Sequence, residues 1–361
     1  MKKLAALLLA VLLAGFTAGG SVLCASTPAK IVILVSDNPA DLAMAKFVSN
    51  VTGFPIVVTP WGIYDPSVSA RVLAYNPGEV IIIGGPLAVL DDYATDLKGF
   101  NVTVVRWWGE TRYGTNKAVI KGLESMGLIS PNATFLVPGN DTFAIAYALR
   151  LALKDRGVIL YVNSTLKSES LKNPVLVVSP MSEKIGKKVE DVVKPVSVVR
   201  ANVTEKELED LILQLEAKLG SIRNLTANDS QLKGLLNLAQ DNLNSAKEEL
   251  QKGNLQMAYR YAMMAGFQID LALKMANENP SAKLQLDLQI LELQTHGMAQ
   301  IDPETLVKLK GLLDQLREAL KEHDYEKARR IEMEIRLLLL KTIREHGIIP
   351  PAPLPGQLLL P

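Results

Sequence analysis

The sequence predicts a duplicated α/β domain built on a parallel sheet, followed by an all-α domain of helical hairpins. Three observations carry this. Between residues 31 and 203, short β-branched apolar runs alternate with helix-like stretches. The same segment repeats internally, pairing Asn38 with Asn140 and Ile56 with Val158. Beyond residue 205 the apolar residues step by three and four.

In chain order, the strand candidates are IVILV (31–35), FPIVVT (54–59), EVIIIGG (79–85), VTVVRWW (102–108), TFLVP (134–138), GVILYV (157–162), PVLVVSP (174–180) and PVSVV (195–199). Most are short, continuous and apolar, as strands buried on both faces of a parallel sheet must be. Helix-like segments at 40–51, 66–75 and 115–126 lie between them. In the later part of the repeat, Asp96 pairs with Asp191 and Arg106 with Arg200, while Gly84-Gly85 becomes Ser179-Pro180.

The helical domain spans 205–347. Leu232, Leu236, Ala239, Leu243, Ala246 and Leu250 form one stripe, and Leu255, Ala258, Ala262, Ala265, Ile269, Ala272 and Ala276 the next. Leu306, Leu309, Leu313, Leu316 and Leu320 precede Ala328, Ile331, Ile335 and Leu338. Each stripe gives a helix one apolar seam that needs a partner. Gly253-Asn254 and His323-Asp324 predict tight hairpins, loosely similar to tetratricopeptide-type units. Met257, Met263, Met264 and Met275 read either as bundle core or as an adaptable groove. The segment 348–361 is proline-rich and cannot continue a helix.

Composition excludes several function classes. The 361 residues carry 39 basic and 38 acidic side chains, which removes the electrostatic footprint of a nucleic-acid binder. One cysteine, Cys24, excludes a disulfide framework and a multi-thiolate metal site. His296, His323 and His346 all lie late in the chain, so a nucleophilic triad has no histidine in the α/β half. No metal, no cofactor and no catalysis are expected. The spacing of Asp37, Asp41, Asp91 and Asp92 fits no calcium loop, and Asp37 is expected to cap the next helix.

Residues 1–25 have the layout of a secretory signal peptide: Lys2 and Lys3, an apolar run from Leu4 to Leu13, then small residues from Thr17 to Gly20. The alternatives are an uncleaved anchor or lipidation at Cys24, against which Leu23 occupies a position that favours a small residue. Asn-X-Ser/Thr sequons begin at Asn50, Asn101, Asn132, Asn140, Asn163, Asn202, Asn224 and Asn228, several times the chance expectation. They predict an exported glycoprotein with an exposed N-terminal region, from a eukaryotic or, by preference, archaeal envelope.

The first repeat also carries SDNPADLAMA (36–45), PIVVTP (55–60), VIIIGGPLAVLDD (80–92) and RWWGETRYGTNKAV (106–119). In these motifs the chain resembles the cell wall-binding repeat 2 family of surface-layer and wall-associated proteins. The resemblance covers one full repeat at 31–124 and a degenerate one at 132–203. It implies a flavodoxin-like α/β module that attaches non-covalently to an anionic envelope polymer.

The candidate ligand-binding residues are Gly84, Gly85, Trp107, Trp108, Arg112 and Tyr113. The glycines admit an anion to a helix N-terminus or simply allow a tight turn before a helix. Arg112 grips an anionic group or pairs with a carboxylate such as Asp41 or Asp92. Thr115 is placed to cap a helix starting near Asn116. Adjacent Trp107 and Trp108 must face opposite ways on a strand, so either both pack into cores or one is left as a sugar-stacking or interface surface.

The function expected is that of an exported envelope protein without catalytic activity. Its α/β repeats bind a surface polymer, glycan or surface-layer protein. Its helices serve as spacer or homo-oligomerisation unit. The alternative is a secreted scaffold whose hairpins bind a protein partner. Membrane contact is expected only by proximity or through an uncleaved or lipidated N-terminus.

Overall fold

The computed structural model describes residues 31–164, 171–225, 230–297 and 303–346. The expected signal peptide, Cys24, Asn228 and the proline-rich tail lie outside the described residues.

The first repeat runs β1 (Ile31–Ser36), α1 (Pro39–Thr52), β2 (Ile56–Thr59), α2 (Pro66–Ala74), β3 (Glu79–Ile83), α3 (Asp91–Gly99), β4 (Thr103–Trp107) and α4 (Arg112–Ser125). Its strands form a parallel sheet in the order β2-β1-β3-β4. Ile33 stands opposite Ile56 on one side and Ile81 on the other. The second repeat comprises β5 (Thr134–Pro138), α5 (Thr142–Asp155), β6 (Val158–Val162), β7 (Pro174–Val178), α6 (Glu183–Val193) and β8 (Ser197–Arg200). Its order, β6-β5-β7-β8, reproduces the first. The α/β class and the internal duplication read from the sequence are what the chain forms.

Strand alternation explains how the sheets are covered. Val32, Leu34, Val80 and Ile82 face Val68, Tyr93 and Leu97 on one side of the first sheet. Ile33, Val35, Ile81 and Ile83 face the other side, in a core with Met44, Phe47 and Val119 that continues to Phe135, Val137 and Tyr161 of the second sheet. The two repeats therefore share one core. A polar link reinforces it. Asn116 Nδ2 donates to the Ile159 carbonyl at 2.9 Å, and its Oδ1 accepts from Tyr161 N at 3.0 Å. The side-chain amide thus pairs with β6, an edge strand whose backbone groups need partners.

Three local expectations change. The segment after Gly84-Gly85 first makes a turn, in which Ala88 N and Val89 N donate to the Gly85 carbonyl, and α3 starts only at Asp91. Helix α4 starts at Arg112 because Thr111 supplies the cap, accepting from Gly114 N at 3.3 Å; Thr115 Oγ1 instead accepts from Gly109 N. Asn38, not Asp37, caps α1, accepting from Ala40 N at 3.1 Å, while Asp37 accepts from Trp61 N.

The remaining elements are α7 (Glu205–Leu225), α8 (Ser230–Gln251), α9 (Leu255–Glu278), α10 (Pro280–Gly297), α11 (Pro303–Lys321) and α12 (Tyr325–His346). Hairpins fall where the sequence places them. Gly253 and His323 adopt positive φ, and Asn254 and Asp324 cap the following helices. The α8 stripe from Leu232 to Leu250 is buried throughout. No helix among the described residues is long and apolar enough to cross a membrane.

These helices do not stand off as a spacer. Ile63 joins the core of α7–α9, and Ala70 joins that of α10–α12. Between α12 and the first repeat, the Arg336 guanidinium reaches Asp96 and Asp92 at 2.7 Å each and Glu332 at 3.0 Å, and lies 4.1 Å from the Tyr64 ring centre. Lys283 adds contacts to Asp287 at 2.8 Å and Asp92 at 3.3 Å. Such buried pairs add little net stability but are costly to break.

Candidate binding crevice

In an open parallel sheet, ligands bind beyond the carboxyl ends of the strands, where the strand order reverses. That point lies between β1 and β3 in the first repeat and between β5 and β7 in the second.

The second repeat closes its own switch point. Asp141 is buried; its Oδ1 accepts from Ala144 N at 3.0 Å, and its Oδ2 accepts from Ser179 Oγ at 2.7 Å and from Ser182 Oγ. Helix α9 roofs it. Tyr259 Oη donates to the Asn140 carbonyl at 2.8 Å, and Gln256 Nε2 donates to the Pro180 carbonyl at 3.1 Å. Ser179-Pro180, the counterpart of the first repeat's diglycine, sits inside this closure.

The first repeat leaves its switch point open. A crevice of about 420 Å³ is lined by Asn38, Asp41, Trp61, Gly85, Trp108 and Arg112, among others. Gly84 has φ +119°, a conformation closed to other residues, and a Cβ there would stand 3.2 Å from Asp41 Oδ2. A Cβ on Gly85 would stand 3.1 Å from the Trp108 ring. The diglycine therefore makes the turn and also lets a carboxylate and an indole approach the strand end closely.

The tryptophans separate, Trp107 ending β4 and Trp108 lying just beyond it. Trp107 packs into the shared core, so close to Gly122 that a Cβ there would meet its ring at 2.5 Å. Trp108 is 44% exposed on the crevice wall. Arg112 lines the crevice but faces two ways: its Nη1 donates to the Gly139 carbonyl of the second repeat at 2.9 Å, and its charge acts on Asp41. Asp92, the other partner considered for it, belongs to Arg336 and Lys283. Tyr113 packs on Gly139, where a Cβ would meet its ring at 2.7 Å. Arg112, Tyr113 and Asn116 thus join the repeats.

Asp41 is the unusual group. It is more than nine-tenths buried, and among the described residues no donor bonds its carboxylate. Burial pushes its pKa up to about 6, opposed by the charge of Arg112. Behind the crevice, Lys218 pairs with Asp270 at 3.0 Å and lies over the Trp61 ring, 5.6 Å from its centre. Asp37 is raised by burial, with Lys218 working against the shift. Asp91 pairs with Arg106 at 2.8 Å, so the four aspartates noted in the sequence do not form one cluster.

Asn50, Asn101, Asn132, Asn140 and Asn202 are exposed and Asn163 is half-buried; Asn224 falls in the last turn of α7. Trp61, Asp141, Tyr259 and Arg336 were not singled out from the sequence. The loss of the diglycine in the second repeat was the one available hint that the two strand ends differ.

No family model matches the chain, so the repeat resemblance rests on its motifs. An uncharacterized protein of Methanocaldococcus jannaschii is 29% identical over 267 residues, covering 65% of this chain and 72% of that protein. Among solved structures, Cwp6 from Clostridium difficile is similar at 20% identity and a TM-score of 0.38. That match covers 48% of this chain and 30% of Cwp6, so the chain spans less than a third of it.

Proposed function

We propose that this protein is a non-catalytic attachment module of the cell envelope, which holds a surface polymer or glycan in the open crevice of its first repeat. One observation carries the reading: Trp108 presents its indole on the wall of a crevice at a switch point that is closed in the sister repeat by Asp141, Ser179 and Ser182 and roofed there by Tyr259 of α9. An exposed tryptophan face suits the apolar face of a sugar ring. The motifs shared with wall-binding repeats support the same assignment, and the exposed sequons agree with a place outside the cell.

The test is retention of the purified full chain by isolated cell envelopes. Wild type is expected to sediment with them and Trp108→Ala to remain in solution with an unchanged melting temperature. Equal retention of both proteins would overturn the reading, as would turnover of an envelope glycan by the wild type. The scaffold alternative draws on Leu213, Met264 and Phe267, which are exposed on α7 and α9. It predicts that a Met264→Ser, Phe267→Ser double variant loses retention while Trp108→Ala keeps it.

A further inference from the structure

The charges around the crevice narrow the class of ligand, an inference that rests on the binding role proposed above. Its lining includes the carboxylates of Asp41, Glu110 and Asp270 and the single guanidinium of Arg112. Asp270 is answered by Lys218 at 3.0 Å. Arg112 has committed Nη1 to the Gly139 carbonyl. Two carboxylates, Asp41 and Glu110, therefore face one partly committed cation.

Helix N-termini do not reverse that balance. Helices α1 and α4 both begin at the crevice, and their positive ends would favour an anion. Asp41 lies in the first turn of α1, and Glu110 directly precedes the Thr111 cap of α4. Each positive end carries its own carboxylate. An acidic polymer entering here would meet like charge in a partly buried site, where such repulsion is poorly screened.

We infer that the crevice takes a neutral, hydroxyl-rich sugar, with Trp108 stacking on the ring and Asp41 accepting hydroxyl hydrogen bonds at its floor. Asp41 suits this role because its carboxylate is buried, borders the crevice and has no donor among the described residues. A carboxylate that accepts hydroxyls makes charge-assisted bonds, stronger than neutral ones. Gly84 makes the geometry possible, since any side chain there would press on Asp41 Oδ2. The anionic polymer implied by the wall-binding resemblance does not fit this balance of charge. The second repeat has no counterpart, because Phe143 stands where the first repeat has Asp41.

The full chain should be titrated at neutral pH and fixed ionic strength with neutral mannan, dextran and galactan, and with polygalacturonate and polyphosphate. At least one neutral polymer is expected to bind about tenfold or more tighter than either acidic one. Asp41→Asn should weaken the neutral polymer about tenfold and narrow its margin over polygalacturonate, a change of selectivity that a structural role would not produce. Trp108→Ala should abolish binding of all of them. Trp108-dependent preference for an acidic polymer would overturn this inference and leave the envelope role standing. So would an Asp41→Asn protein with wild-type selectivity. Binding of no polymer by the wild type would overturn both.

Discussion

The two α/β repeats share strand order and parallel register, yet their carboxyl ends are finished in opposite ways. In the second, Asp141 draws in Ser179 and Ser182, and Tyr259 and Gln256 of α9 form a roof. In the first, the diglycine leaves space, Asp41 is left without a donor among the described residues, and Trp108 stays at the surface. Duplication gave two equivalent switch points; one has become part of the structural frame and the other remains available. A shared topology therefore marks where a site can lie, and the side chains that finish the strand ends decide whether it is open.

The largest effect should come from the clamp that holds the helical half on the first repeat. Arg336→Leu leaves Asp96 and Glu332 without their cation and Asp92 with Lys283 alone, and should cost about 3–5 kcal/mol in urea unfolding. A loss below about 1 kcal/mol would mean the helices add little to the frame of that repeat.

Asp41 gives the next effect, of opposite sign. Its pKa rises from 3.8 to about 6 on folding, so the folded state prefers the proton, and stability falls as pH rises through that interval. Asp41→Asn should therefore stabilise by up to about 3 kcal/mol above pH 6, and by almost nothing below about pH 4. Denaturant midpoints at the two pH values check this. A stabilised variant with weaker ligand binding would mark Asp41 as a residue kept for binding at a cost in stability.

Tyr259→Phe should have the smallest effect. It removes the hydroxyl that donates to the Asn140 carbonyl and accepts from Thr142 N, for about 1 kcal/mol in thermal or urea unfolding. If that variant bound polymer at the second switch point, the roof alone would be what separates the repeats.

Much of this fold was legible because its signals are local. Apolar runs of four to six residues gave the strands, and Gly253-Asn254 and His323-Asp324 gave the hairpins. Trp107 and Trp108 do separate, although β4 ends at Trp107 and leaves Trp108 beyond the strand. The joints were not legible, because their partners lie far apart in sequence: Arg336 meets Asp92 across 244 residues, and Tyr259 meets Asn140 across 119. The 112–116 segment shows how a motif can carry two meanings. Its arginine and tyrosine stand out as ligand contacts, but Arg112, Tyr113 and Asn116 also dock one repeat on the other. Only Arg112 among them borders the crevice as well.

Hydrogen–deuterium exchange of the full chain, with and without a bound neutral polymer, tests the asymmetry most directly. Added protection is expected at 84–88 and 108–115, and none at 139–142 or 179–182. Protection confined to the second repeat's strand ends, or to the helices beyond 205, would contradict it.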